Sequence, residues 1–321
     1  MRVVRIHEFG GPEVLKIEEV PEPTIAPGDV LIQMEAAGVN YADVMTRVGM
    51  YPISGLPITP GFEVAGRVVK AGNAVTDFKT GDRIVAMLNA GGYAERAAAP
   101  AATVFSVPDS LSAVQAAALP VNYLTALHML REFGRLAPGE SVLIQAAASG
   151  VGTAAIQLAK LFGARIFATA SSQDKLALAR ELGADETINY STQDFAEVVK
   201  AKTGGRGADL ILECVGGEVF DRSIQCLAPL GRLITYGMAG GVPATVMTPL
   251  LLFNNLSVIG FHLGRYYQTR PNREPMQEIL RLVAAGRIRP IINTTFPLAE
   301  VAKAHDHLSE RKTRGKVLLV P

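Results

Sequence analysis

The stretch Glu140–Lys160, ESVLIQAAASGVGTAAIQLAK, decides how the rest of the chain is read. Ser141-Val142-Leu143-Ile144 is short and apolar, as a strand buried on both faces is. A turn of small residues follows, and from Gly152 onward Ala155, Ile156, Ala159 and Phe162 recur at helical spacing. The unit is therefore strand, tight turn, helix, with the helix beginning between Gly150 and Thr153. Unpaired N–H groups and the positive end of the helix dipole at such a start suit a diphosphate. The turn departs from the GxGxxG spelling, because Ala147 and Ser149 stand where the first two glycines would be and only Gly152 keeps its place. By itself the stretch is equally compatible with a plain buried βα unit, so its neighbours decide.

Downstream the alternation continues. ARIFATA reads as a strand, DKLALARELGA as a helix, ETINY as a short strand and DFAEVVKAKTG as a helix; DLILECVG, VFDRSIQCLAPLG, GRLITYG and LSVIGF follow. Strands alternating with helices of this length mean right-handed crossovers and a mostly parallel sheet covered on both faces. The small-residue turn is then the first βα turn of a doubly wound domain, where a dinucleotide belongs. Upstream, residues 1 to about 120 read as short strands between Pro/Gly turns, a β-rich domain, and SAVQAAALPVNYLTALHMLREFG reads as two helices broken at Pro120. From about Gly264 the reading is a polar, Arg-rich loop, then the helix REPMQEILRLVAAG and a closing β segment, KVLLVP.

Composition excludes several classes of function. Hydrophobic residues make up 49% of the 321 and charged ones 19%, which fits a well-buried globule and not a disordered chain. The balance of 31 basic and 30 acidic side chains, without Lys/Arg runs, provides no electrostatic footprint for nucleic acid or an anionic membrane. The segments 141–159 and 233–264 are uncharged, but a glycine turn interrupts the first and Pro243, Pro249, Asn254 and Asn255 interrupt the second, so neither reads as a membrane span. MRVVRIHEFG has no long apolar run and does not read as a signal peptide, and a cytoplasmic protein is expected. Cys214 and Cys226 are too few for a structural zinc site and read as small buried hydrophobes.

The second βα turn predicts the cofactor. An NAD-binding domain carries an acidic residue about 20 positions after the glycines, to bind the ribose hydroxyls. Here that place holds Ala170-Ser171-Ser172, followed by Lys175. Two hydroxyls and an ammonium bind a 2′-phosphate that a carboxylate would repel, so NADPH is predicted. Tyr190, ending the next strand, adds a phenolic donor. The alternative for Lys175 is an ordinary exposed helix residue.

With strands, turn and order in hand, the sequence resembles the zinc-free quinone oxidoreductase (zeta-crystallin-like) branch of the medium-chain dehydrogenase/reductase superfamily. The resemblance rests on AAGVNYADVMTRVGMYP (36–52), PGFEVAGRVV (60–69), ALPVNYLTALHML (118–130), the turn and helix at 146–160, LGADETINY (182–190) and RGKVLLVP (314–321). It implies an α/β fold, a doubly wound parallel Rossmann sheet with a β-rich, GroES-like catalytic domain. Residues 1–122 and 264–321 would form the catalytic domain and 123–263 the NADPH-binding Rossmann domain. Where the alcohol dehydrogenase branch has a Cys and a His, this chain has Asn40 and Phe62; with Glu63 they make no zinc site of ordinary N/S ligation, and no metal is expected. Hydride transfer without a Lewis acid suits quinones and other α,β-unsaturated carbonyls.

The same resemblance implies that Asn40 lies beside the nicotinamide ribose and Thr125 near the nicotinamide, and that Ser149, Gly150 and Val151 line the diphosphate. Loops after Gly216, Gly237 and Phe261, with Leu263, would close over the cofactor, and Lys316 would reach back to the cofactor side or simply lie at the surface. Tyr41, Tyr51, Tyr123 and His262 are candidates for shaping the substrate pocket or donating a proton, or are packed, hydrogen-bonded residues. Two alternatives stand beside the NADPH:quinone reductase: an enoyl-thioester reductase, and a crystallin-like protein that holds NADPH without turnover. Finally, LSVIGF reads as an uncharged edge strand, and a homodimer whose interface includes Val246 to Phe261 is expected to cover it.

Overall fold

The computed structural model describes residues 1–270 and 273–321, and Pro271 and Asn272 of the expected polar loop lie outside the described residues. The chain forms two compact units. One comprises Met1–Leu124 and Tyr267–Pro321, the other Thr125–Tyr266.

The first unit is built on a seven-stranded sheet. Its order is Ile292–Pro297, Lys316–Val320, Asp29–Val39, Glu63–Ala71, Arg83–Met87 and Val104–Ser106, with Arg96–Pro100 pairing Asp29–Val39 off this path. The long strand Asp29–Val39, DVLIQMEAAGV, is buried along nearly all of its length and runs antiparallel to Glu63–Ala71 on one side and Lys316–Val320 on the other. Val30, Ile32, Met34, Val64, Val68, Ile84, Val104, Val317 and Leu319 meet in one apolar core, so the two ends of the chain share it. A separate two-stranded sheet joins Arg2–Arg5 to Lys16–Glu19.

The second unit is a six-stranded, wholly parallel sheet ordered Glu186–Asn189, Arg165–Ala170, Ser141–Ile144, Ala208–Glu213, Leu227–Thr235 and Ser257–Gly260. Ser141–Ile144 is fully buried, as its unbroken apolar sequence requires of a strand covered on both faces. Being first in sequence but central in the sheet, it pairs with the next strand along the chain on one side and with Ala208–Glu213 on the other. Strand order reverses there, and open α/β sheets bind ligands at such a reversal, beyond the carboxyl ends of the strands.

The α/β architecture with a parallel sheet and a separate β-rich part is as the sequence implied. One local expectation is corrected: the loop placed from Gly264 onward begins as a helix, Leu263–Thr269. Its first turn is held by His262, whose Nδ1 accepts from the Arg265 N–H at 3.0 Å, a cap that hydropathy patterns do not register. Among the described residues no helix is long and apolar enough to cross a membrane. Both cysteines are unpaired, and burial drives each thiol up to about 12.

Candidate functional site

In the first unit, strand register makes the site. Val317 stands opposite Val39 and Val64 opposite Ala37, so Lys316 and Glu63 are carried alongside Asn40, the residue that follows the long strand. Asn40 donates from Nδ2 to Glu63 Oε1 at 2.9 Å and accepts at Oδ1 from Lys316 Nζ at 2.5 Å; Lys316 Nζ also donates to Glu63 Oε1. The other carboxylate oxygen, Oε2, accepts from the Val121 N–H at 2.7 Å, at the start of the helix Pro120–His128. All three side chains are buried. Gly38 makes room for them, because a Cβ there would lie 2.2 Å from Glu63 Oε1.

Asn40 also opens the helix Tyr41–Arg47. Its backbone N–H donates to Asp43 Oδ2 at 2.8 Å, and Asp43 Oδ1 accepts from the Gly61 N–H at 2.9 Å. Burial raises the Asp43 carboxyl to about 7 against the opposing pull of these N–H groups and of Lys316. Burial and the nearby Asp43 push Tyr51 up to about 12; its ring packs on Phe62 with centroids 5.4 Å apart.

These residues do not fit a metal ion. Glu63 is the one carboxylate among Asn40, Phe62 and Glu63. Both of its oxygens are engaged, and an ammonium stands against it where a divalent cation would need lone pairs. Among the described residues no group of three His, Cys, Asp or Glu is placed to hold a metal.

In the second unit the site gathers along the carboxyl ends of the strands. The helix Gly150–Leu161 follows the central strand, and Ser149 caps it: with φ −71° its backbone needs no glycine, and its Oγ accepts from the Gly152 N–H at 3.0 Å. Gly152 is needed for packing, since a Cβ would meet the Ala146 carbonyl at 2.4 Å. The N–H groups of Gly150 and Val151 belong to the same first turn, at the positive end of the helix, and both residues are half-buried. A helix start of this kind suits an anion such as a diphosphate.

Ser171 and Tyr190 follow neighbouring parallel strands, where Asn189 stands opposite Ala170 and the Tyr190 N–H donates to the Ala170 carbonyl. Lys175 is in the first turn of the helix Gln173–Leu182, beside Asp174, so hydroxyls, phenol and ammonium follow the carboxyl ends of two neighbouring strands. Further along the sheet, Glu213 Oε1 accepts from the N–H groups of Val215 (2.6 Å) and Gly216 (2.9 Å) and so folds the turn that carries Gly216. The neighbouring turn, with Gly237, returns to it through Ala239 N–H to Cys214 O and Gly240 N–H to Val215 O. Thr125 is buried on the helix Pro120–His128; Phe261 is buried and Leu263 half-buried beyond the last strand.

The four proton-donor candidates separate. The Tyr123 hydroxyl donates to the Arg289 carbonyl at 2.6 Å and is a packed core residue. His262 is a helix cap, Tyr41 is exposed at a helix start, and Tyr51 is the one held against Phe62 near Asp43. The sequence reading missed Glu63 as the partner of Asn40, although a lone carboxylate heading an apolar strand was a signal. Asp43 was legible as a capping residue three positions after Asn40. His128 was missed too: buried, it meets Glu132 Oε1 at 2.9 Å, while Tyr266 donates to Glu132 Oε2.

Residues 26–109 match the alcohol dehydrogenase GroES-like domain family and residues 150–285 the zinc-binding dehydrogenase family. The quinone oxidoreductase of Pseudomonas aeruginosa is 37% identical, covering 99% of each chain. The human synaptic vesicle membrane protein VAT-1 homolog is 35% identical over all of this chain and 86% of its own length. The crystal structure of Escherichia coli quinone oxidoreductase complexed with NADPH superposes with a TM-score of 0.95 at 32% identity, covering 100% of both chains. By sequence and by fold, the chain belongs to the medium-chain dehydrogenase/reductase superfamily, in its quinone oxidoreductase branch.

Proposed function

We propose that the chain is an NADPH-dependent reductase that delivers hydride to quinones or other α,β-unsaturated carbonyls without zinc, as a cytoplasmic homodimer. The observation that carries the reading is the ion pair at Asn40. Lys316 and Glu63 close on each other and on the amide where a zinc-dependent dehydrogenase needs metal ligands. Without a Lewis acid to polarise it, the acceptor must already be electron-poor.

Bound NADPH supplies the hydride; the protein binds it, orients it and excludes water. The first turn of the helix Gly150–Leu161 presents its N–H groups to the diphosphate, and Ser171, Lys175 and Tyr190 receive the 2′-phosphate. Asn40 orients the nicotinamide end, where correct geometry acts most strongly on the transition state. A quinone needs no dedicated acid from the protein, since its reduced form takes protons from water. An enoyl-thioester reductase would need a tyrosine acid. Tyr123 is committed to a backbone carbonyl and Tyr51 is held at about 12, and neither observation favours that reading.

An acceptor screen tests the function: 1,4-benzoquinone, 9,10-phenanthrenequinone, a simple enone and crotonyl-CoA, each with NADPH. Turnover of the quinones at least about tenfold above crotonyl-CoA is expected. Preference for crotonyl-CoA overturns the substrate class. NADPH binding without turnover of any acceptor overturns the enzyme.

A further inference from the structure

Lys316 was implied to reach toward the cofactor, yet its ammonium is buried and turned onto Glu63 and the Asn40 carbonyl oxygen. This contact carries an inference that rests on the reductase reading and deepens it. An asparagine amide can rotate by half a turn and exchange its donor and acceptor ends at little intrinsic cost. Here the exchange is blocked twice over. A reversed Asn40 would aim its NH2 at an ammonium and its carbonyl at a carboxylate, replacing two attractive contacts with two repulsive ones. The Lys316–Glu63 bond ties the two partners to each other, so neither swings away independently.

The pair is also anchored from outside the triangle. Glu63 Oε2 is held by the Val121 N–H, and Lys316 by the pairing of its strand with the long strand that leads into Asn40. The second Nδ2 hydrogen of Asn40 is thereby held in one orientation. We infer that Lys316 and Glu63 are positioning residues that lock the Asn40 side-chain amide in one orientation for the nicotinamide ribose, and that Lys316 is not itself a ligand of the cofactor.

The test removes both charges together, with Glu63→Gln/Lys316→Met, so that no uncompensated charge is left buried and the fold survives. In the apo protein, exchange of the Asn40 side-chain amide protons, followed by NMR, is expected to be at least about tenfold faster than in the wild type. In the loaded enzyme, kcat is expected to fall about tenfold or more while the NADPH Kd, from fluorescence titration, stays within about twofold. Adding Asn40→Ala to the pair variant is expected to change kcat by no more than about twofold relative to Asn40→Ala alone, because the pair acts through that amide. A tenfold weaker NADPH Kd at unchanged kcat would make Lys316 a cofactor ligand, and losses that multiply with Asn40→Ala would make the pair independent of it. Either overturns the inference, as does unaltered amide exchange. A wild type that turns over no acceptor refutes the reductase reading alone, and the exchange measurement still decides the orientation.

Discussion

Asp43 and His305 lie in the same unit and respond to pH in opposite senses. Burial raises Asp43 from 3.8 to about 7, so the folded chain keeps a proton that the unfolded chain has released; this stability is present below 3.8 and lost as pH rises toward 7. Burial, then the nearby Arg47, lowers His305 from 6.5 to about 3. The folded chain refuses a proton that the unfolded chain accepts, and this stability is present above 6.5 and lost as pH falls. Between about pH 4 and 6.5 the two oppose each other. Relative to wild type, His305→Phe should lose stability as pH rises through this window, by on the order of 2 kcal/mol, and Asp43→Asn should gain it. Neither His305 nitrogen has a hydrogen-bond partner among the described residues, so the His305→Phe variant should still fold. Urea unfolding at several pH values checks both, and variants that track the wild type would refute the assignment. In the other unit, Lys175 occupies the first turn of a helix, where a cation opposes the dipole. Lys175→Glu should raise the KM for NADPH about tenfold or more and that for NADH by about twofold, read from initial rates with each cofactor; equal effects would count against a 2′-phosphate role.

At the scale of the element, the helix Gly150–Leu161 depends on its cap more than on its glycines. Ser149 has an extended backbone conformation open to any residue, and its contribution is the hydroxyl that accepts from Gly152. Ser149→Ala should therefore destabilise the protein by about 1 kcal/mol and Ser149→Gly by only a few tenths, measured by chemical denaturation. Equal losses for the two would mean that the cap is not what Ser149 provides. The short helix Leu263–Thr269 is a different case. Seven residues are too few to be stable alone, and the His262 cap and the Tyr266–Glu132 contact hold its first turn.

For the whole molecule the open question is assembly. Ser257–Gly260 is the last strand of the parallel sheet and, among the described residues, pairs on one side only, with Leu227–Thr235. No charged residue, Asp, Glu, Lys or Arg, stands between Arg232 and Arg265. Beside the strand, the helix Thr248–Asn254 presents Leu252 and Phe253 to solvent, 72% and 80% exposed, while Leu250, Leu256 and Val258 rest partly on the unit's own core. An uncharged edge flanked by exposed large apolar side chains needs a cover, and the proposed homodimer would supply it, a second copy across a two-fold axis extending the sheet and burying these residues together. Light scattering at micromolar concentration should find a dimer, and Val258→Lys should give monomer or aggregate. A stable wild-type monomer, or an undisturbed dimer in that variant, would exclude this interface.

What the amino-acid sequence determined by itself was whatever one element can encode. Val142-Leu143-Ile144 is apolar because both faces of its strand are covered, Gly152 is small because a helix start presses on the preceding turn, and no carboxylate stands at 170–172. Periodicity and turn chemistry act over a few residues, so the alternation of strands and helices, and with it the parallel sheet, could be read directly. Only the tertiary structure decided that Asn40 meets Glu63 and Lys316, the last of them 276 positions away. Nothing local to any of the three records that meeting. It follows from the register of three paired strands, and register is set by which side chains the whole apolar core can bury, a property of the closed sheet and not of any segment within it.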